Sequence, residues 1–526
     1  MHKVLIADAI AEEGLTYLRA RPGFEVVVAT GESPEALASR IADCDAVIVR
    51  SSTRITRAIL FAAERLRVVG RAGIGVDNIN VEAATERGVV VLNTPDANAT
   101  TTAELTVAHL LSLSRHLPQA DRSVRAGEWR RASFLGTEVA GKTLGVIGYG
   151  TIGRLVAARA LGLKMRVLAH DPYVTREVME ADGVGPVGLD ELLGSADYVS
   201  LHCTLSEKTR KLLDASRLGL MRRGARLINC ARGGLVDEGA LLEALRTGQL
   251  SGAALDVFEQ EPPRGSPLLE RPDVVLSPHL GASTEEAQVA AGLAVAEQIA
   301  SYFETGEAIN AVNLPRITPA DLNRLRPYQV LGHRLGQLLA ALVPGPLHQV
   351  EVALRGRAAE LDPHPIASEC LVGLLEAELS VPVNQVNARH LARRQGITLV
   401  ESRSLETEEY LSLVTVAGRY NGGRTSVAGT LLGERHARLV RIDDCEVESV
   451  PEGTVLITRH EDRPGVVGAL GTLLGREDVN ISRMQVGVAS GPEALAVIGV
   501  SHPLSAETLR RVAAIPAIHQ VYQLTF

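Results

Sequence analysis

The segment Gly148-Tyr149-Gly150-Thr151-Ile152-Gly153 constrains what this chain can fold into more than any other. It follows a continuous apolar run, Thr143-Leu144-Gly145-Val146-Ile147, and opens a stretch from Arg154 to Leu161 with helical spacing. Glycine is common here, 49 of 526 residues, so three spaced glycines say little by themselves. A strand before and a helix after make the segment a phosphate-binding turn. In such a turn the first glycine bends the chain and the second lets the backbone approach a pyrophosphate. The third lets helix and strand pack closely, with the helix N-terminus facing the phosphate charge. Gly148, Gly150, Thr151, Ile152 and Gly153 are therefore candidate cofactor contacts. The next apolar run, Arg166-Val167-Leu168-Ala169-His170, ends in Asp171. A carboxylate there accepts from a ribose diol and repels a 2′-phosphate, which predicts NAD rather than NADP.

Downstream, three charged residues each follow a short apolar run that reads as a strand. Arg232 follows Ala225–Asn229, Glu261 follows Gly252–Phe258, and His279 follows Val274–Ser277. Singly they have ordinary readings: a surface Arg, a turn Glu before prolines, a loop His. In an open parallel sheet, however, groups leaving the carboxyl ends of strands converge on one crevice. A guanidinium, a carboxylate and an imidazole brought together there form an anion clamp beside an acid/base pair.

At 526 residues the chain is too long for one core, and three or four domains are expected. No apolar stretch reaches the ~20 residues that span a bilayer. Met1-His2-Lys3-Val4-Leu5-Ile6 enters a strand directly, without a signal-peptide layout. Five cysteines without CxxC spacing suit a reducing compartment, and argue against a disulfide framework or a metal site. The expected location is the cytoplasm. A net charge of −8, with acids and bases intermixed and 3% aromatics, argues against a nucleic-acid surface.

Residues 3 to about 95 alternate apolar runs with helix-like stretches, an α/β layer pattern. Thr101 and Glu104 fit a capping box ahead of an apolar helix through Leu113. Glu285 to Thr305 reads as another helix, and Asn310–Pro315 as a return to the first lobe. The last segment reads strand, helix, strand, strand, helix, strand, which predicts a ferredoxin-like domain. Its Asp462-Arg463-Pro464-Gly465 turn is expected to start a helix with Pro near the first helical position. Beside Asn480, that helix start offers an anion site, and Asp462 a cation site, for a small zwitterion.

Taken together, these motifs resemble the D-2-hydroxyacid dehydrogenases, and within them the long-form phosphoglycerate dehydrogenases with an intervening domain and an ACT domain. The resemblance spans nearly the whole chain. It is strongest at Arg71–Asn78, Phe134–Glu138, the glycine turn, Asn229–Gly234, Ala254–Pro263 and Pro278–Thr284. It implies a Rossmann-type NAD domain (99–282) inserted in a flavodoxin-like substrate domain (1–98 and 283–315). An α+β intervening domain (316–452) and a ferredoxin-like ACT domain (453–526) follow. The implied activity is NAD-dependent oxidation of D-3-phosphoglycerate to 3-phosphohydroxypyruvate, the first step of L-serine biosynthesis, with L-serine as feedback effector.

By the resemblance, Arg232 holds the substrate carboxylate and C2 oxygen, and His279 is the acid/base. Glu261 hydrogen-bonds the imidazole, fixing its tautomer and stabilising its protonated form. Arg50 and Arg71 contact the substrate from the first lobe, and Arg131 reaches a neighbouring subunit's site. Further cofactor contacts are placed at Cys203, Cys230, Ala231, Arg232, Asp256, His279, Gly281 and Ala282. His460, Asp462 and Asn480 line the effector pocket, and the assembly is a homodimer or homotetramer, paired through the helix from Thr101 and the Trp129–Glu138 segment. Two departures stand out. His202-Cys203-Thr204 replaces a Pro-containing turn, and Asp443-Asp444-Cys445-Glu446 replaces a basic pair that some relatives carry. The rival readings are a hydroxypyruvate or glyoxylate reductase and a non-catalytic NAD-sensing regulator. Reductases of that kind end near residue 315, and long disordered tails, which the regulators carry, are absent from this sequence.

Overall fold

The computed structural model describes residues 1–526 apart from 316, 318, 408 and 489–492. Five short strands form the first sheet: β1 (His2–Ile6), β2 (Phe24–Val28), β3 (Ala46–Val49), β4 (Val68–Arg71) and β5 (Val90–Asn93). Their order is β2-β1-β3-β4-β5 and every pairing is parallel, a flavodoxin-like arrangement. Helices cover both faces of such sheets, which is why the inner strands read as unbroken aliphatic runs. One cover comes from far downstream. The Glu285–Thr305 helix buries Val295 and Ile299 against Val4, Ile6, Val68 and Leu92. The chain then bridges Ala311 to Leu92. Beyond it, the Asn313 side chain accepts from Val91 N and donates to Val89 O, both at 2.9 Å. The expected return is therefore made, and Asn313 satisfies backbone groups that would otherwise lie on an open sheet edge.

The second sheet contains β6 (Thr143–Ile147), β7 (Arg166–His170), β8 (Gly185–Pro186), β9 (Tyr198–Leu201), β10 (Ala225–Asn229), β11 (Leu250–Leu255) and β12 (Val274–Leu276). The order β8-β7-β6-β9-β10-β11-β12 is parallel throughout and reverses direction between β6 and β9. That switch point is where a doubly wound sheet opens a crevice. The strand before Glu261 stops at Leu255 rather than Phe258, because the Phe258 N–H turns to Glu261 Oε1 at 3.1 Å.

The helix that leads from the first sheet into the second runs over Ala99–Arg115, not from a cap at Thr101. Thr101 lies inside it, with Oγ1 3.1 Å from Thr284 Oγ1, and Glu104 accepts from Arg159 at 3.3 Å. The helix starts earlier because Asn98 O already takes the Thr102 N–H, and because Ala99 and Thr102 gain burial. The capping box is thus overruled by packing.

Residue 316, where the third region was expected to begin, lies outside the described residues. The third sheet comprises β13 (Leu347–Gly356), β14 (Thr398–Ser404), β15 (Ser412–Tyr420), β16 (Gly423–Leu432), β17 (His436–Ile442) and β18 (Cys445–Ser449). It is ordered β14-β13-β15-β16-β17-β18, antiparallel except for the β13–β14 pair. Leu331, Leu335 and Leu339 of the Pro319–Leu342 helix and Ile366 and Leu371 of the Pro363–Leu375 helix pack against it.

The fourth sheet has β19 (Thr454–Glu461), β20 (Ile481–Val488), β21 (Glu493–Val500) and β22 (Ile518–Thr525), antiparallel in the order β20-β21-β19-β22. With helices at Val466–Arg476 and Ala506–Ala513, this is the expected ferredoxin-like unit. Pro464 is not near the first helical position. The helix begins at Val466, capped by Gly465 at φ 94°, so Pro464 precedes the cap.

Candidate active site

The glycine turn leaves β6 at the switch point, and its three glycines are held for three different reasons. Gly148 has φ 93°, and a Cβ there would lie 2.6 Å from Cys203 N at the end of β9. A Cβ on Gly153 would lie 2.1 Å from the Gly148 carbonyl oxygen, so the Thr151–Gly162 helix packs tightly on the turn. A Cβ on Gly150 would meet nothing within 4 Å. The open position is thus the one where a pyrophosphate must approach the backbone. It faces the N-terminus of a twelve-residue helix whose first N–H groups lack partners within the helix. At the end of β7, Asp171 Oδ2 accepts from Tyr149 N and Oδ1 from Tyr173 N, both at 2.8 Å. Those bonds fix the carboxylate beside the turn, and each oxygen keeps acceptor capacity for a diol. The residues present therefore fit a dinucleotide. Thr151 is exposed and Ile152 half-buried, at the start of the helix.

The ends of β9 and β10 supply the neighbouring wall. Burial pushes the Cys203 thiol up to about 11 and the Cys230 thiol up to about 12, so both are neutral, unreactive surfaces. His202, which stands in the departing His-Cys-Thr segment, has Nε2 2.8 Å from Ser200 Oγ, and burial pushes its ring down to about 4. It is a neutral, half-buried histidine bonded to its own strand.

His279 and Glu261 meet as expected. Nδ1 of His279 lies 2.7 Å from Glu261 Oε2, with side chains 45% and 39% exposed to the cleft. Burial pushes the Glu261 carboxyl up. Its hydrogen bond to His279, the ring's charge, the Phe258 N–H and the Arg232 guanidinium outweigh that and hold it below its ordinary value. The pair therefore keeps a carboxylate against the ring, and leaves Nε2 as the free acid/base atom. His279 itself has φ 55°, in the left-handed region. The turn around it is tied to Asp256, which is wholly buried. Asp256 accepts from Ser277 Oγ at 2.5 Å, Leu280 N at 2.7 Å and Gly281 N at 2.9 Å, while its carbonyl takes the His279 N–H. Gly281 is buried and Ala282 half-buried beside it.

The arginines near this pair come from both lobes: Arg232 from the second sheet, and Arg50 and Arg71 from the first. Arg232, half-buried after β10, donates from Nε to Asp77 Oδ2 at 2.9 Å and from its terminal nitrogen to Ala231 O at 2.6 Å. Asp77 follows β4, so this ion pair joins the two lobes. Two glycines of the Arg71–Asn78 segment give the guanidiniums room. A Cβ on Gly73 would lie 1.6 Å from Arg71, and one on Gly75 would lie 1.8 Å from Arg232. Arg71 is pushed down to about 10, first by burial, then by the charges of Arg232 and Arg50, against the opposing pull of Asp77 and Asp8. Its Nε is buried without a hydrogen-bond partner. Crowded like charges and an orphaned donor mark a place prepared for an anion. Arg50 is held from behind, with its N–H on Asp8 Oδ2 at 2.6 Å.

Other predicted residues stand apart from this cluster. Arg131 is exposed, with its guanidinium 5.6 Å from the Trp129 ring. In the fourth sheet Asp462 and Asn480 are exposed, but the His460 ring is 3% exposed, its Nδ1 3.4 Å from Thr458 Oγ1. A solvent-borne ligand does not reach it, so His460 is corrected from a pocket lining to a core residue. A cavity of about 910 Å³ lies elsewhere, between the 305–315 return and the Pro319–Leu342 and Pro363–Leu375 helices, and touches none of the candidate site residues. Among the described residues, no group of three or more His, Cys, Asp or Glu side chains is placed to hold a metal ion, and no helix is long and apolar enough to cross a membrane.

Sequence reasoning missed Asp8, Asp77 and the pair His109–Ser277. Asp8 ends an apolar run as Asp171 does, and Asp77 lies in a motif already singled out, so both carried a signal. His109 carried none, being a lone histidine on the apolar face of a helix.

Comparison with known proteins follows the same architecture. The family model for D-isomer specific 2-hydroxyacid dehydrogenase, NAD binding domain, matches residues 107–281. That for the D-3-phosphoglycerate dehydrogenase intervening domain matches 324–443, and that for the ACT domain 454–517. D-3-phosphoglycerate dehydrogenase of Methanocaldococcus jannaschii is 42% identical over 523 residues, covering 99% of each chain. The Bacillus subtilis protein of that name is 36% identical over 522 residues, again with 99% of each chain covered. Among solved structures, D-lactate dehydrogenase from Aquifex aeolicus, complexed with NAD and lactic acid, aligns at TM-score 0.54 and 28% identity, covering 60% of this chain and 100% of that one. A glyoxylate reductase from Paecilomyes thermophila aligns at TM-score 0.55 and 31% identity, covering 59% and 98%. The dehydrogenase core is therefore shared with shorter enzymes, and the intervening and ACT regions with the full-length relatives. On these grounds the chain belongs to the D-3-phosphoglycerate dehydrogenases, NAD-dependent members of the D-isomer specific 2-hydroxyacid dehydrogenases.

Proposed function

We propose that this chain oxidises D-3-phosphoglycerate to 3-phosphohydroxypyruvate, the first step of L-serine biosynthesis. The observation that carries the reading is half-buried Arg71, whose buried Nε has no partner and whose charge is felt together with those of Arg50 and Arg232, the last of which also acts on Glu261. One guanidinium suffices for a monocarboxylate such as lactate. Three around one cleft suit a substrate with an anion at each end. Arg232 holds the carboxylate and C2 oxygen, and Arg50 and Arg71 hold the phosphate. His279 Nε2 takes the hydroxyl proton as the C2 oxygen becomes a carbonyl, and Glu261 balances the imidazolium charge. NAD, when bound at the glycine turn, accepts the hydride from C2. A lone reductase core ends near residue 315, whereas this chain goes on through intervening and ACT regions that full-length relatives also carry. The test is NAD reduction by purified protein with a panel of D-2-hydroxy acids. Phosphoglycerate should be the preferred substrate, and His279→Ala should lower turnover by ~10²–10⁴-fold while NAD binding stays near wild type. More than half the wild-type rate in that variant would overturn the assignment.

The same reading extends to regulation and assembly. The chain divides into a substrate domain (1–98 and 283–315), an NAD domain (99–282), an intervening domain (316–452) and an ACT domain (453–526), and works in the cytoplasm. L-Serine binds the ACT domain through Asp462, the Arg463–Gly465 turn and Asn480, and inhibits. Homodimer contacts form around the Ala99–Arg115 helix and the Trp129–Glu138 segment, in a dimer or a tetramer, with Arg131 reaching the partner's site. Leu117, Val124, Trp129 and Leu135, exposed at 60%, 55%, 73% and 87%, support that surface. Calorimetry with L-serine and sedimentation at micromolar concentration test these two claims. No serine heat, or a monomer, would remove the corresponding one.

A further inference from the structure

Behind the catalytic turn lies a histidine to which none of the roles above applies. His109, 5% exposed on the Ala99–Arg115 helix, has Nε2 2.7 Å from Ser277 Oγ. Ser277 Oγ in turn donates to Asp256 Oδ1 at 2.5 Å. The protons can be counted. The Asp256 carboxylate only accepts, so the single Ser277 hydroxyl proton goes to it, and His109 must donate Nε2–H to Ser277. Burial pushes the His109 ring below its ordinary value against the pull of Asp256, which keeps it a neutral donor with that one tautomer.

The helix also grips the far side of the turn, since Thr102 Oγ1 donates to Gly281 O at 2.7 Å. Thr102 and His109 stand two helical turns apart and share a face. They hold Ser277 and Gly281, one on each side of His279. What lies between is the residue at φ 55°, a conformation that persists in a non-glycine residue only where its surroundings enforce it. Asp256 enforces it through Leu280 N and Gly281 N, and Ser277 fixes the Asp256 oxygen that takes Leu280 N.

We propose that His109 is a positioning residue for the general base: acting through Ser277 and Asp256, it holds the 277–281 turn so that His279 Nε2 faces the substrate hydroxyl. This rests on the dehydrogenase reading only for the identity of the proton being moved. The experiment compares wild type, His109→Leu and His109→Gln, the last of which retains an N–H able to reach Ser277. In His109→Leu, kcat should fall on the order of tenfold, as loss of one buried hydrogen bond to a charge-linked network predicts. The KM for phosphoglycerate and the Kd for NAD should stay within about twofold, by the same localisation of the defect to the acid/base turn. The deuterium isotope effect on kcat with C2-deuterated substrate should rise. Amide exchange across residues 277–283, measured without substrate, should quicken. His109→Gln should recover at least half of the lost rate and most of the protection. Unchanged kcat and exchange in His109→Leu would overturn the proposal. So would equal losses in both variants accompanied by weaker NAD binding, since that pattern is general damage. A wild type that oxidises no 2-hydroxy acid would defeat the dehydrogenase reading instead, and the exchange comparison would still decide the role of His109 in the turn.

Discussion

Replacing Gly150 by alanine should separate cofactor binding from stability, and replacing Gly153 should do the reverse. Gly150 has φ −79° and ψ −162°, open to any residue, and its added Cβ meets nothing within 4 Å. Without cofactor, Gly150→Ala should therefore be as stable as wild type, or more so by up to ~1 kcal/mol, because the unfolded chain loses freedom. With cofactor, the methyl occupies the space where a pyrophosphate meets backbone N–H. Losing one charge-assisted contact costs ~1.5–3 kcal/mol, so NAD should bind roughly ten- to hundred-fold more weakly. Gly153→Ala places a Cβ 2.1 Å from the Gly148 carbonyl oxygen and 3.3 Å from Val146 Cγ1. Both are fixed atoms of β6 and its turn, so the helix must lift, at ~1–3 kcal/mol. For a unit of this size that lowers the melting temperature by roughly 2–10 °C. Scanning calorimetry of the cofactor-free protein and titration with NAD measure the two effects. A Gly150→Ala protein that binds NAD like wild type, or that melts well below it, would refute the assignment of three roles to three glycines.

Arg71→Ala should raise KM for phosphoglycerate roughly ten- to hundred-fold by loss of ~1.5–3 kcal/mol, and should affect an unphosphorylated 2-hydroxy acid far less. An equal loss on both substrates would mean structural damage. Asp171→Ala should weaken NAD and relax rejection of NADP, and equal wild-type rates with both cofactors would show that Asp171 does not read the ribose. His333 on the Pro319–Leu342 helix lies 3.3 Å from Glu369 and 3.1 Å from Glu376. The hydrogen bond to Glu369, with both carboxylate charges, raises its ring above the ordinary value despite burial. Its stabilisation is full below the unfolded value of ~6.5 and is lost as pH rises through the higher native value. His333→Gln should flatten that part of the melting-temperature profile, and an unchanged slope would assign the loss to other groups.

The parts of this molecule most legible in its sequence are those where backbone demands and chemistry coincide. The glycine turn had to be glycine, and the β6, β7, β10 and Glu285–Thr305 elements were readable because buried parallel strands and a long helix carry unbroken periodic signals. Arg232, Glu261 and His279 could be placed by the rule that strand ends face the crevice. The third sheet was much less visible. Its strands are half-buried with alternating patterns or, in the parallel edge strand β14, mostly exposed, and such patterns also fit loops, so β13, β14, β17 and β18 went unread. The Thr101 cap failed because packing extended the helix, and the His460 assignment failed because alternation along β19 turns its ring inward. The hydrogen bonds that the Ala99–Arg115 helix makes to the turn around His279 belong to no local pattern, since they join positions more than 160 residues apart.

The closing of the first sheet by the Glu285–Thr305 helix and Asn313 sets a timetable for synthesis. The strands β1–β5 leave the ribosome within the first 93 residues, but the apolar face formed by Val4, Ile6, Val68 and Leu92, covered in part by the early Leu15 and Leu18, is not closed until Val295 and Ile299 are made. At ~5–20 residues per second that delay is about ten to forty seconds, long compared with hydrophobic collapse. The second sheet, contiguous in sequence, completes first, so the amino-terminal lobe should acquire its fold last of the two, using the finished nucleotide lobe as its anchor. Nascent chains arrested before residue 285 should therefore be the ones that recruit chaperones or aggregate, and those arrested past residue 315 should not.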